Sequence, residues 1–167
     1  MKFLLALALP IYALDQATKW WILGKSEGFI GWHEPVIPGF FDLCYLANTG
    51  AAFSMFSDSN NAFIVIGLVA LVAIVVATLR NVFPDLPSKI GVGLLVGGIL
   101  GNVTDRFLHG HVVDFLLFDL HVRFADPWPA FNVADSAICI AVGVFILASF
   151  LAPNEEENSK LQAPNAK

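Results

Sequence analysis

Four apolar stretches, each long enough to cross a bilayer, alternate with polar segments of unequal length along the chain. A helix rises about 1.5 Å per residue, so a hydrocarbon core about 30 Å thick takes about 20 mainly apolar residues. The first stretch, residues 3–23, opens after Lys2, is broken by Asp15, Gln16, Thr18 and Lys19, and resumes at Trp20, Trp21, Ile22 and Leu23. That resumption, with its interfacial tryptophans, predicts a retained helix and not a cleaved leader. The second, 62–79, is uncharged, rich in Val, Ile and Ala, and stops at Arg80 before the short Pro-containing loop 81–88. The third, 89–105, carries Gly93, Gly97 and Gly101 at four-residue steps, a stripe read as allowing close helix packing. The fourth, 132–151, ends before Pro153, and the polar tail 153–167 is expected to be disordered.

Between the spans, residues 24–61 and 106–131 form two long loops that fall on one face, and both termini fall on the other. Residues 40–48 alternate aromatic or apolar residues with polar ones between Pro38-Gly39 and Thr49-Gly50, which predicts a strand; residues 111–124 have similar extended character. Unpaired backbone cannot face lipid, so these strands are expected to pair with each other at or above the interface. Asn48 or Thr49 would cap a short helix running through Phe53. The predicted fold is a mainly α membrane protein of one domain, 1–152, with four transmembrane helices, a small β-sheet and a short helix on one face.

Composition agrees: 57% of the residues are hydrophobic and only 14% charged, too much apolar surface for one small water-soluble core. The net charge of -5 is partly concentrated in Glu155, Glu156 and Glu157, and no basic cluster points to a nucleic acid. Lys and Arg near the spans divide five to four between the two faces, too even to orient the chain. Cys44 lies in a loop region and Cys139 in an apolar helix, so no disulfide is expected.

Ionisable groups at membrane depth cost a few kcal/mol, which makes each a candidate for function. Asp15 and Lys19 are one turn apart on a helix and suit an ion pair or a substrate contact. Asn102, Asp105 and Arg106 sit where the third helix leaves the membrane, with Asp105 and Arg106 placed to pair. Asp114 lies in the apolar run Val112-Val113-Asp114-Phe115-Leu116-Leu117 without a local partner. Asp135, with Asn132 as N-cap, occupies the first turn of the fourth helix, where the helix dipole favours negative charge. Two acids in such opposed environments, brought close, would share a proton, one activating water while the other protonates a carbonyl. That is the chemistry of an aspartic peptidase.

Five segments, Asp15-Gln16-Ala17-Thr18-Lys19, Asn48-Thr49-Gly50-Ala51-Ala52-Phe53-Ser54, Gly101-Asn102-Val103-Thr104-Asp105-Arg106, Val112-Val113-Asp114-Phe115 and Phe131-Asn132-Val133-Ala134-Asp135-Ser136, together resemble the bacterial lipoprotein signal peptidases (signal peptidase II). The resemblance implies that Asp114 and Asp135 are the catalytic pair, and that Asp15, Lys19, Asn48, Asn102, Asp105, Arg106 and Asn132 support the site or contact substrate. It further implies cleavage of prolipoproteins before a diacylglyceryl-modified cysteine, in the bacterial cytoplasmic (inner) membrane. Both termini would be cytoplasmic, with the active site and sheet near the outer (periplasmic) face. No metal or cofactor is required. A monomer in contact with membrane lipids is expected.

Two rivals make different predictions. His109-Gly110-His111, near Asp105 and Asp114, could mark a metallopeptidase, although the helical H-E-x-x-H arrangement is absent; activity lost to EDTA and restored by zinc would favour it. A proton-coupled transporter would use membrane acids such as Asp15 as a relay, but no internal repeat is present. Proton flux abolished by changing Asp114 and Asp135, without any peptide cleavage, would favour that rival.

Overall fold

The computed structural model describes residues 2–50, 60–122 and 128–151. Helix α1 spans Lys2–Lys25, strand β1 His33–Ile37, β2 Phe41–Asn48, helix α2 Asn60–Leu79, α3 Leu86–His109, β3 Val112–Phe118 and α4 Val133–Leu151. The expected helix after Thr49 and the polar tail lie outside the described residues.

Among the described residues, three helices, α2, α3 and α4, are long and apolar enough to cross a membrane. The 24-residue α1 matches them in length but carries Asp15 and Lys19 along its middle. On α2, Val65, Ile66, Val69 and Val72 are exposed, as lipid-facing side chains would be. Helix α3 is longer than the expected 89–105 at both ends, for local reasons. Asp85 caps its start by accepting the Ser88 N–H (2.8 Å), and Pro87 fits the first turn, where no intrahelical donor is needed. At the other end the helix continues through Asp105 and Arg106 until Gly110 closes it in the left-handed conformation (φ 76°).

The glycine stripe explains why α3 can be the central helix. A Cβ on Gly97 would lie 2.8 Å from the Ala8 carbonyl oxygen of α1, and one on Gly98 would lie 2.6 Å from the Ala134 carbonyl oxygen of α4. Neither backbone could stay where it is with a larger residue there. Gly93 and Gly101 face α1 likewise, against Leu7 and Asp15. One half of the bundle is closed by Leu4, Ala8, Val92 and Val96; toward the other end Ile22 packs with Tyr45, Val113 and Phe115, seating the sheet on the end of α1.

The sheet is antiparallel in the order β1-β2-β3. The two expected strands pair as β2 and β3, and the second ends at Phe118, short of the expected 124. Strand β1 was not anticipated; it carries Pro35, which a ladder accepts only at an edge such as this one. A register shift between Leu43 and Leu46 bulges β2 opposite β3, so that Leu46 pairs Asp114 and Asn48 pairs Val112. Beyond β3 the chain returns at Phe131, whose N–H and carbonyl both bond Leu116, so Asn132, just before α4, arrives beside Asp114.

Candidate active site

At the start of α4, Asn132 and Asp135 form a reciprocal cap. The Asn132 side-chain oxygen accepts the Asp135 N–H (2.9 Å), and an Asp135 carboxylate oxygen accepts the Asn132 N–H (3.3 Å). The Asn132 amide then points back to β3, donating to an Asp114 carboxylate oxygen at 2.7 Å. The other Asp114 oxygen accepts from the Asn48 side chain at the end of β2 (2.8 Å), and Asn48 itself is turned by accepting the Gly50 N–H. Among the described residues the Asp114 carboxylate therefore has two hydrogen-bond partners, from positions 66 and 18 residues away, and neither stands near it in sequence.

Asp114 is buried, whereas Asp135 is half-buried at the helix start. Burial, followed by the charge of Asp135, pushes the Asp114 carboxyl up to about 7, against the opposing pull of the Asn48 and Asn132 amides and Lys19. Near neutral pH Asp114 can thus hold or release a proton.

Below the two acids lies a second polar layer. Lys19 bridges Asp15 (2.8 Å) and Asp105 (2.9 Å) and donates to the Asn102 side-chain oxygen (3.0 Å). Asn102 passes the connection on, its amide donating to Asp135 at 2.7 Å. Asp15 also accepts the Ala134 N–H (2.8 Å), filling one of the donors that α4 leaves open in its first turn. Asp105 accepts the Val113 N–H (3.0 Å) and so fixes the residue before Asp114. Asp15, Lys19 and Asp105 are each almost wholly buried, at 0%, 1% and 1% exposure, so this ionic group lies inside the bundle and away from lipid.

Eight of the nine candidates thus join one hydrogen-bonded assembly. Arg106 is apart: instead of pairing with Asp105, its guanidinium donates to Asn60 (3.3 Å) and lies over the Phe63 ring (4.7 Å) at the start of α2. Asp105 is already engaged by Lys19. Sequence reasoning gave no role to Gln16, whose amide donates to Asp105 (3.0 Å) and the Gly101 carbonyl (3.3 Å). Its signal was its place between Asp15 and Lys19.

Among the described residues no three His, Cys, Asp or Glu side chains gather as a metal site. His111 meets the Tyr45 hydroxyl (2.9 Å), and the His109 ring packs edge-on to Trp20. Burial and the Asp114 and Asp42 charges push the Cys44 thiol up to about 12, which keeps it protonated and unfit as a nucleophile. Both cysteines are free.

The family model described as Signal peptidase (SPase) II matches residues 7–151. A lipoprotein signal peptidase of Neisseria meningitidis is similar to this chain at 41% identity over 157 residues, 90% of each. Another, from Syntrophotalea carbinolica, is 40% identical over 154 residues, covering 89% of this chain and 91% of the relative. A solved bacterial membrane enzyme superposes with a TM-score of 0.79 at 31% identity, over 92% of this chain and 96% of its own.

Proposed function

The chain belongs to the signal peptidase II family, and from that premise we propose that Asp114 and Asp135 are the catalytic pair of an aspartic endopeptidase. Its substrates are prolipoproteins, cut before the diacylglyceryl-modified cysteine during lipoprotein maturation. The observation that carries this reading is Asn132, which bonds both acids at once, the Asp114 carboxylate through its amide and Asp135 through the reciprocal cap.

In the active form Asp114 holds the shared proton and Asp135 the charge. Asp135 takes a proton from water as the water oxygen attacks the scissile carbonyl carbon, and Asp114 gives its proton to the carbonyl oxygen. Collapse of the tetrahedral intermediate breaks the C–N bond: Asp135 gives its proton to the departing nitrogen while a hydroxyl of the intermediate returns a proton to Asp114, restoring the starting state. Asn48, Asn102 and Asn132 aim the carboxyls, Asp15, Lys19 and Asp105 hold the helix ends in place, and Arg106 positions substrate beside them.

Helix α1 is read as a fourth span. Its length suffices, and its buried polar side chains are satisfied by α3 and α4, so they do not face lipid. Residues 1–152 then form one monomeric domain in the cytoplasmic membrane, both termini cytoplasmic and the sheet outside, with the diacylglyceryl chains left in lipid beside the helices.

The test is turnover of a diacylglyceryl-modified peptide by purified wild type and by the Asp114→Asn and Asp135→Asn variants. Each variant is expected to remain folded and inserted but inactive; retained turnover in either would falsify the pairing.

A further inference from the structure

At the end of the bundle remote from the acids, a cavity of about 110 Å³ lies between the start of α1, the end of α2 and the first turns of α3. Lys89 is 16 residues before Asp105 on α3, roughly 24 Å along the axis, so this cavity is separate from the site above. Its walls divide by chemistry. Phe3, Leu4, Phe83 and Val92 are apolar, while Thr78, Asn81 and Lys89 bring a hydroxyl, an amide and an ammonium.

The polar members are only partly engaged. The Thr78 hydroxyl donates to the Ile74 carbonyl, and the Lys89 ammonium donates to the Pro84 carbonyl (2.6 Å), leaving further ammonium protons free to donate. Asn81 is held in the left-handed conformation (φ 56°) and is exposed beside the exposed Arg80. Lys2 lies at the same end as the first residue of α1 that is described. The one acid near Lys89 in this loop, Asp85, is committed to capping α3. An ammonium at an apolar cleft between helices, at the membrane face that the proposed topology gives this end, complements an anionic headgroup joined to an acyl chain. Exposed Leu79, Val82 and Leu86 flank the cleft and continue its apolar surface.

We propose that this cavity binds an anionic phospholipid, its phosphate at Lys89 and Asn81 and the start of an acyl chain against Phe3, Leu4 and Val92. The commitment to a lipid over free phosphate rests on the apolar half of the lining.

The test uses the full chain in nanodiscs of phosphatidylcholine with or without phosphatidylglycerol, read by thermal unfolding and by native mass spectrometry of retained lipid. Phosphatidylglycerol is expected to raise the unfolding temperature and stay bound. Lys89→Gln should weaken retention about fivefold, the loss of one cation near a headgroup. Lys89→Arg should restore it, which separates a binding defect from misfolding, and peptide cleavage should persist in both. Equal retention by Lys89→Gln, or no preference for the anionic lipid in wild type, overturns the proposal. So does inorganic phosphate alone reproducing the thermal shift.

Discussion

Removing the Asn48 amide tests the acid pair without touching either acid. Asn48 donates to Asp114 at 2.8 Å and so favours the ionised carboxyl, whose titration lies at about 7 with Asp135 charged beside it. In the proposed scheme one proton is held between the two acids, so kcat/KM of the wild type should fall as pH rises through about 7, where that proton is lost. A hydrogen bond to a charged group is worth about 1.5–3 kcal/mol. Asn48 is exposed, so water replaces part of it in Asn48→Ala, leaving about 1.4 kcal/mol, or roughly one pH unit. The sign is definite: losing a donor to the charged form raises the pKa, so the descending limb moves toward alkali and the variant outlasts wild type in relative activity near pH 8. The assay is kcat/KM against pH for a diacylglyceryl-modified peptide in a neutral detergent. A limb that stays in place or moves toward acid would refute both the protonation scheme and the part given to Asn48.

Lys19→Met should cost about 3–5 kcal/mol, because it leaves Asp15 and Asp105 buried without their shared cation; thermal unfolding in detergent reads this, and an unchanged melting temperature would contradict it. Gly101→Ala would thrust a methyl group against the Asp15 carboxylate and the Ala134 side chain, destabilising the fold by about 1–3 kcal/mol and lowering activity with it. Arg106→Ala, by contrast, releases Asn60 and Phe63 among the described residues, so the melting temperature should move little while KM rises. Equal losses of stability and activity there would make Arg106 a structural residue.

Much of the architecture was legible because lipid imposes a simple rule on length and polarity. Helices α2 and α4 fall within two residues of the expected ends, and the glycine stripe of α3 serves the packing read from it. The end of α3 was misjudged because Asp105 and Arg106 looked like residues leaving the membrane, whereas Lys19 takes the carboxylate inward and the helix continues. Strand β1 escaped notice because His33, Glu34 and Pro35 give no alternation; it exists by pairing with β2 as an edge. At the site, the local links were legible in the sequence, the Asp15–Lys19 pair and the Asn132 cap on the turn of Asp135, but the long-range ones were not. Asp15 joins Ala134 across 119 positions and Asn48 joins Asp114 across 66, relations that periodicity does not encode.

The bond from residue 15 to residue 134 also ties the first helix of the chain to the last. Until the fourth helix is made, the acid at 135 does not yet exist, and the carboxylate at 15 keeps its pair with Lys19 but lacks the N–H of Ala134. Under the proposed pairing, a copy that stops short of its last helix lacks one of the two working acids and has no means to cut a precursor chain.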